Sequence, residues 1–131
     1  MRRGLTKRLG DRGERLAARY LRRQGFRILA RQWSSRSGEI DLIAADGDCI
    51  VFVEVKTRRD DTAGNPVEAV TVKKQAKLTE LSLVYLKRNG LLEHRARFDV
   101  VTVLSPEGAK QPEVKHFKNA FAPSGFGQMY S

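Results

Sequence analysis

Glu14, Asp41, Glu54 and Lys56 are the side chains whose types and spacing suit chemistry on an anion. Asp41 closes the stretch Gly38-Glu39-Ile40-Asp41, and Glu54 and Lys56 sit in Val53-Glu54-Val55-Lys56. Strand side chains alternate between faces. A strand here puts Val51, Val53 and Val55 on one face and Ile50, Phe52, Glu54 and Lys56 on the other. An acid and an ammonium then end an otherwise apolar strand on the same side. Asp46-Gly47-Asp48 between two apolar runs is a hairpin signal. Folding the chain about residue 47 brings residues 39–43 opposite 51–55, which makes Asp41 and Glu54 neighbours to within a residue or two.

Two carboxylates and a lysine in one cluster suit a hard divalent cation. Mg²⁺ takes oxygen ligands, keeps several waters, and is held by one or two carboxylates plus substrate phosphate oxygens. Asp41 and Glu54 offer such ligands, with the Val55 carbonyl as a backbone ligand. Mn²⁺ is the laboratory substitute. Lys56 has the reach to orient an attacking water or to neutralise charge on a phosphate. The implied reaction class is metal-assisted phosphodiester hydrolysis. A salt bridge is the competing reading, since Glu54 and Lys56 can pair with each other or with Asp41, and exposed pairs are common. Glu14 shares a helix face with Ala17, Ala18 and Leu21, so it points inward and needs a partner. A cation fills that need. So does the helix dipole, or an ion pair with Lys7 or Arg58. On residue types alone these alternatives stay open.

The elements that must position these groups follow from periodicity and turn residues. Helical spacing of Leu16, Ala17, Tyr20 and Leu21 predicts a helix over residues 9–24, stopped by Gly25. Strands are expected over 26–33, 39–45 and 49–56, with polar turns at 34–38 and 46–48. Residues 58–66 read as a loop. Thr71 is placed to cap a second helix over 72–89, which Gly90 ends. Its expected core stripe is Val72, Ala76, Thr79, Leu83 and Leu86. A strand over 97–104 follows, then a weak one near 114–117, with an irregular tail from about residue 120. The order α-β-β-β-α-β makes an α/β fold with a mixed central sheet flanked by helices.

The 131 residues are the size of one domain, preceded by a basic segment over residues 1–9. With 40% apolar and 31% charged residues the chain is neither disordered nor membrane-spanning in composition. Its 25 basic and 15 acidic residues give a net charge of +10. Residues 1–36 carry 12 of the basic residues and only Asp11 and Glu14, so the whole excess lies in the first quarter. Such a surface suits an anionic partner, nucleic acid foremost, and DNA is the partner expected here. A solvated basic face is the plainer alternative. The lone Cys49 lies in an apolar run, reads as a buried small hydrophobe, and points to a reducing compartment. The start has no apolar region of a secretory signal, so the expected location is cytoplasmic, with no membrane partner.

Gly13-Glu14, then Gly38-Glu39-Ile40-Asp41-Leu42-Ile43, then Val51-Phe52-Val53-Glu54-Val55-Lys56-Thr57-Arg58, together with Arg97-Phe98-Asp99-Val100-Val101, resemble the YraN family of small bacterial proteins. The resemblance runs over about residues 10–117. More widely the pattern is similar to the PD-(D/E)xK nuclease superfamily, in particular archaeal Holliday-junction resolvases. That resemblance implies a restriction-endonuclease-like core and a Mg²⁺-dependent endonuclease acting on branched or structured DNA. It makes Glu14, Asp41 and Glu54 the acidic metal-site residues and Lys56 the catalytic lysine. It also implies a homodimer, because a four-way junction has two symmetric cut sites. Ile40 stands where the superfamily has proline, and Thr79 stands where some members have the tyrosine of a Q-x-x-x-Y motif. Gln75 is therefore read as a structural contact.

Arg58 and Arg59 directly follow the site, and Lys73 and Lys77 share a helix face. All four are candidate phosphate-backbone contacts, with a solvated face as the equal alternative. Trp33, Tyr20 and Phe26 read as core, and His94 and His116 lack metal-ligand spacing. The other functional class is a nucleic-acid-binding protein on a nuclease-like fold without cleavage, and a basic adaptor for an acidic protein is a third.

Overall fold

A computed structural model describes residues 2–59, 70–105 and 111–124, with side chains from Asp11 onward. The elements are α1 (Arg2–Arg23), β1 (Arg27–Ser35), β2 (Gly38–Asp46), β3 (Cys49–Arg58), α2 (Val72–Arg88), β4 (Ala96–Leu104) and β5 (Glu113–Phe121). Most of the loop expected over 58–66, and the tail beyond 124, lie outside the described residues. The strands form one sheet in sequence order. β3 and β4 are parallel, joined across α2, and the other neighbours are antiparallel. This is the mixed α/β sheet expected, with β5 as the additional strand.

Each helix covers one face. Ala17, Ala18 and Leu21 of α1 pack on Leu42, Ala44, Val51, Val53, Val101 and Val103. Leu78, Leu81, Tyr85 and Leu86 of α2 pack on Ile43, Ile50, Phe52, Phe98 and Val100. The apolar runs of β3 and β4 are thus buried on both faces, as a covered central strand requires. Both helices end in the same way. Gly25 and Gly90 take positive φ (95° and 65°), and the N–H groups of Phe26 and Leu91 donate to the carbonyls of Leu21 and Leu86. That is the Schellman arrangement, with an apolar residue after each glycine folding back on the core.

Four expectations need correction. The first helix begins at Arg2 and not near residue 9. Of residues 39–43, only 42 and 43 pair with β3. The α2 core stripe is not Val72, Ala76, Thr79, Leu83 and Leu86. Val72 is 78% exposed, Ala76 is exposed and Leu83 half-buried. The buried residues are Leu78, Thr79, Leu81, Ser82, Tyr85 and Leu86. The first turn of α2 lies toward the polar end of β3, so its apolar residue finds no core there. The last strand is also longer than 114–117, running to Phe121 because Phe117, Ala120 and Phe121 pack on the α2-side core.

Two close fits hold α1 and β5 to the sheet. Gly13 lies so near β3 that a Cβ there would overlap Thr57 Oγ1. On β4, Asp99 is fully buried. It accepts hydrogen bonds from Arg97 Nε (2.9 Å) and from the Asn119 N–H (2.9 Å), and its Oδ2 lies 2.7 Å from His116 Nε2. Asn119 has φ 51°, and the β4–β5 register shifts between Phe98 and Val100. The carboxylate of Asp99 therefore takes up the amide that the bulge frees.

Gly13→Ala is expected to destabilise by about 1–3 kcal/mol through overpacking. Alanine's helix propensity gives back only about 1 kcal/mol. Thr57→Ala in the same chain should recover part of the loss, and thermal melts of the single and double variants test this.

Asp99→Asn is expected to cost about 3 kcal/mol or more, since it leaves Arg97 and His116 short of a buried partner. Burial pushes the Asp99 carboxyl up, but the hydrogen bonds from His116, Arg97 and Asn119 outweigh it and hold the group below the usual range. Its stabilisation is therefore complete above the unfolded aspartate value and is lost as pH falls through the lower folded value. The variant's deficit should be full at neutral pH and shrink in acid, as read by denaturant melts.

Candidate functional site

The site forms where β2 parts from β3. Their ladder runs from Asp46↔Cys49 to Leu42↔Val53 and stops there. Beyond it β2 continues with β1 to Ser35↔Gly38, while β3 continues with β4 to Arg58↔Leu104. At the fork the Val55 N–H donates to Asp41 Oδ2 at 2.8 Å, so a side chain replaces the lost strand partner. A two-residue loop of Gly47 and Asp48 fixes the register that brings Asp41 there. Gly47 has φ 61°, at the position where a type II′ turn puts glycine.

The facing of β2 changes at Asp41. Ile40 packs on the α2 side, yet Leu42, two residues on, packs on the α1 side. β1 changes with it, since Ala30 and Trp33 both face α2. Between them Gln32 has φ 49°, a left-handed conformation uncommon for this residue type. Gln32 Nε2 donates to Asp11 Oδ1 at 2.6 Å and to Glu14 Oε2 at 2.7 Å, tying the β1–β2 ribbon to α1.

Four carboxylates converge on this fork. One oxygen from each of Glu14, Glu39 and Asp41 lies within 4.8 Å of the others. Oxygens around an octahedral Mg²⁺ at roughly 2.1 Å stand about 3 to 4 Å apart, so small side-chain rotations bring this set to ligand spacing. Glu54 lies beside Asp41, its side chain only 7% exposed. Lys56 Nζ is 3.7 Å from Glu54 Oε1, and Lys74 Nζ is 4.0 Å from Glu54 Oε2. Glu54 Oε2 is buried and has no hydrogen-bond partner among the described residues. An orphaned buried carboxylate oxygen beside Asp41, which itself stands in a group with Glu14 and Glu39, fits a cation's donor set.

The electrostatics agree with that donor set. Burial lifts the Glu54 carboxyl to about 7; Asp41 adds to the lift, while Lys74 and Lys56 oppose it. Burial likewise lifts Glu14 to about 7, against the Gln32 hydrogen bond and with the help of Asp41 and Glu39.

Glu14, Asp41, Glu54 and Lys56 are thus brought together, and Val55 joins them through its backbone amide. Arg58 is half-buried at the end of β3 and Arg59 is exposed just beyond it. Lys73 is exposed on the first turn of α2, and Lys77 pairs with Glu80 at 3.4 Å. Neither touches the acids. Gln75 makes the structural contact expected of it, donating to the Val70 carbonyl at 2.9 Å. His116 is engaged by Asp99.

The sequence model of the family described as "Uncharacterised protein family UPF0102" matches residues 13–103. A UPF0102 protein of Rhodococcus jostii is 50% identical over 113 residues, covering 86% of this chain and 95% of its own length. One from Geobacter sulfurreducens is 49% identical over 115 residues, 86% of this chain and 88% of its own. One from Symbiobacterium thermophilum is 52% identical over 99 residues, 76% of this chain and 84% of its own. This chain belongs to the UPF0102 family.

The UPF0102 match contains every residue of the fork, including Gln32, Glu39 and Lys74, which were not singled out as site residues from sequence. For Glu39 a signal existed, since it lies two residues before Asp41. Gln32 and Lys74 carried none beyond being polar near the ends of elements.

An acid whose folded value is raised contributes fully below its unfolded value, near 4.5 here, and that contribution is lost as pH rises through about 7. In metal-free UPF0102 protein at pH 8, Glu54→Gln is therefore expected to stabilise by on the order of 2 kcal/mol. The gain should disappear at pH 5. Melts in EDTA at the two pH values measure this, and equal gains at both would show that burial of the charge is not the cause.

Proposed function

We propose that this chain is a divalent-metal-dependent endonuclease that hydrolyses phosphodiester bonds in DNA, with branched or structured DNA as its substrate class. The observation that carries the reading is Glu54 Oε2, buried and without a hydrogen-bond partner among the described residues, on a glutamate beside Asp41 of the Glu14, Glu39 and Asp41 group, with Lys56 3.7 Å from the other oxygen. A purely structural cluster closes its hydrogen bonds, and this one does not. Four acids inside a chain of net charge +10 also repel a phosphate unless a cation neutralises them.

In this reading Asp41, Glu54, Glu14 and the Val55 carbonyl hold Mg²⁺, with Mn²⁺ as a substitute, and Glu39 joins them. The bound ion supplies Lewis-acid polarisation of a phosphate oxygen. Asp41 is held in place by the Val55 amide, and Glu14 by Gln32. Lys56, half-buried beside Glu54, orients the attacking water or stabilises charge on the phosphate. The exposed Arg12, Arg15 and Arg19 of α1, with Arg58, Arg59, Lys73 and Lys77, form the phosphate-backbone surface. A homodimer presents two such sites to the two symmetric strands of a junction. The alternative, a non-catalytic nucleic-acid-binding protein on this fold, rests on the charge alone.

The test is cleavage of labelled linear, flap and four-way-junction DNA with Mg²⁺ or Mn²⁺. Cuts are expected on the branched substrates, abolished by EDTA and lowered about 10²-fold or more by Lys56→Ala. Asp41→Ala is expected to abolish cutting while leaving salt-sensitive DNA binding in place. Tight, salt-sensitive binding without cuts on any substrate would instead establish the binding protein.

A further inference from the structure

One lysine of α2 faces the acids. The Lys74 N–H donates to Thr71 Oγ1 at 3.1 Å, and Gln75 Nε2 donates to the Val70 carbonyl at 2.9 Å, so the backbone on both sides of the Lys74 side chain is fixed. From there its Nζ reaches 4.0 Å from Glu54 Oε2. That distance neutralises charge but is too long for a hydrogen bond, and Oε2 has no partner among the described residues. Lys56 serves the other oxygen from β3. Glu54 therefore has one ammonium for each oxygen, delivered by two different elements. Lys73 points to solvent and Lys77 to Glu80.

We infer that Lys74 is a substrate-phosphate ligand that rests on Glu54 until a divalent cation takes its place. The inference builds on the metal-dependent nuclease reading. A dication on Glu54 Oε2 would stand a few ångströms from Lys74, in a partly buried position where like charges repel strongly. Lys74 then has to leave Glu54. Its side chain is 41% exposed, so it can swing outward while Thr71 and Gln75 keep the helix turn in place. The anion waiting in the loaded complex is the phosphate of the bound strand, for which a flexible ammonium is a point-charge ligand. The same lysine thus offsets the charge of Glu54, competes with the cation and serves the substrate.

The test pairs metal affinity with kinetics. Mn²⁺ alone is titrated by calorimetry into the full chain as wild type, Lys74→Met, Lys74→Arg and Lys87→Met. The last removes a lysine of the far turn of the same helix. Lys74→Met is expected to bind Mn²⁺ about tenfold more tightly, because the competing charge is gone, while Lys74→Arg and Lys87→Met stay within about twofold of wild type. On labelled DNA at saturating Mn²⁺, Lys74→Met should lose at least about tenfold in kcat/KM, and Lys74→Arg should recover part of it. A merely structural lysine would move metal affinity the other way, by loosening Glu54. Unchanged or weaker Mn²⁺ binding by Lys74→Met overturns the inference, and Lys74→Gln repeats the measurement should the methionine variant fail to fold. A wild type that takes up no Mn²⁺ overturns the nuclease reading and this inference with it. A wild type that binds and cuts, with Lys74→Met behaving like Lys87→Met, overturns the role of Lys74 alone.

Discussion

The Val55 N–H held by the carboxylate of Asp41 is the contact on which the site depends. A buried amide at the end of a ladder must find an acceptor. Supplying that acceptor from a side chain lets β2 turn away from β3 without leaving the amide bare. The fork that results is the opening into which Glu14 reaches from α1 and Lys74 from α2. Gly13 permits the first approach, because only hydrogen fits between that turn of α1 and Thr57. Gln32 makes the second half of the turn, in a backbone conformation few side chains favour, and then fixes Glu14 with its own amide. Off-rule backbone of this kind is kept where its surroundings over-determine it, and here the ties to Asp11 and Glu14 do so.

The sheet uses the same device a second time, and the contrast is informative. Asp99 also takes up an amide freed by a strand irregularity, that of Asn119. There every remaining demand is met, with Arg97 and His116 on the carboxylate and Asp46 on Arg97. The result is a closed network whose charge lies below its usual titration range. At Asp41 the neighbours are other acids, and the network ends on an oxygen with no partner among the described residues. One chain thus shows what a carboxylate built for stability looks like beside a cluster that is not.

Much of this was legible in the sequence because it is local. Turn residues and alternation indicate the element order, and reflection about residue 47 puts Asp41 near Glu54 to within a residue or two, although the β2–β3 ladder ends at Leu42↔Val53 and residues 39–41 do not pair with β3. The inward Glu14 followed from helical spacing. What was not legible depended on contacts between elements. Nothing about a glutamine announces a left-handed backbone, so the pivot at Gln32 was invisible. Val72 looked like core by type, but the first turn of α2 overhangs the site and leaves it 78% exposed. Lys73 and Lys77 stand out by their i, i+4 spacing, which does not tell which lysine of α2 reaches Glu54; that is Lys74. β5 was read short because its lysines and the bulge at Asn119 interrupt the apolar alternation.

The arrangement also accounts for why the acids are gathered despite their cost. Burial, with Asp41 adding to it, raises both Glu14 and Glu54 to about 7, so ionising both works against folding. Lysine can offset that cost only partly, because at 4.0 Å Lys74 screens Glu54 Oε2 without bonding to it. A stability optimum would close the gap with a shorter contact or remove the charge. In the proposed metal-dependent reading, the buried oxygen and the ammonium 4.0 Å from it mark the place that a cation's charge would take. In the same reading the exposed arginines of α1 draw a phosphate toward acids that a cation would neutralise.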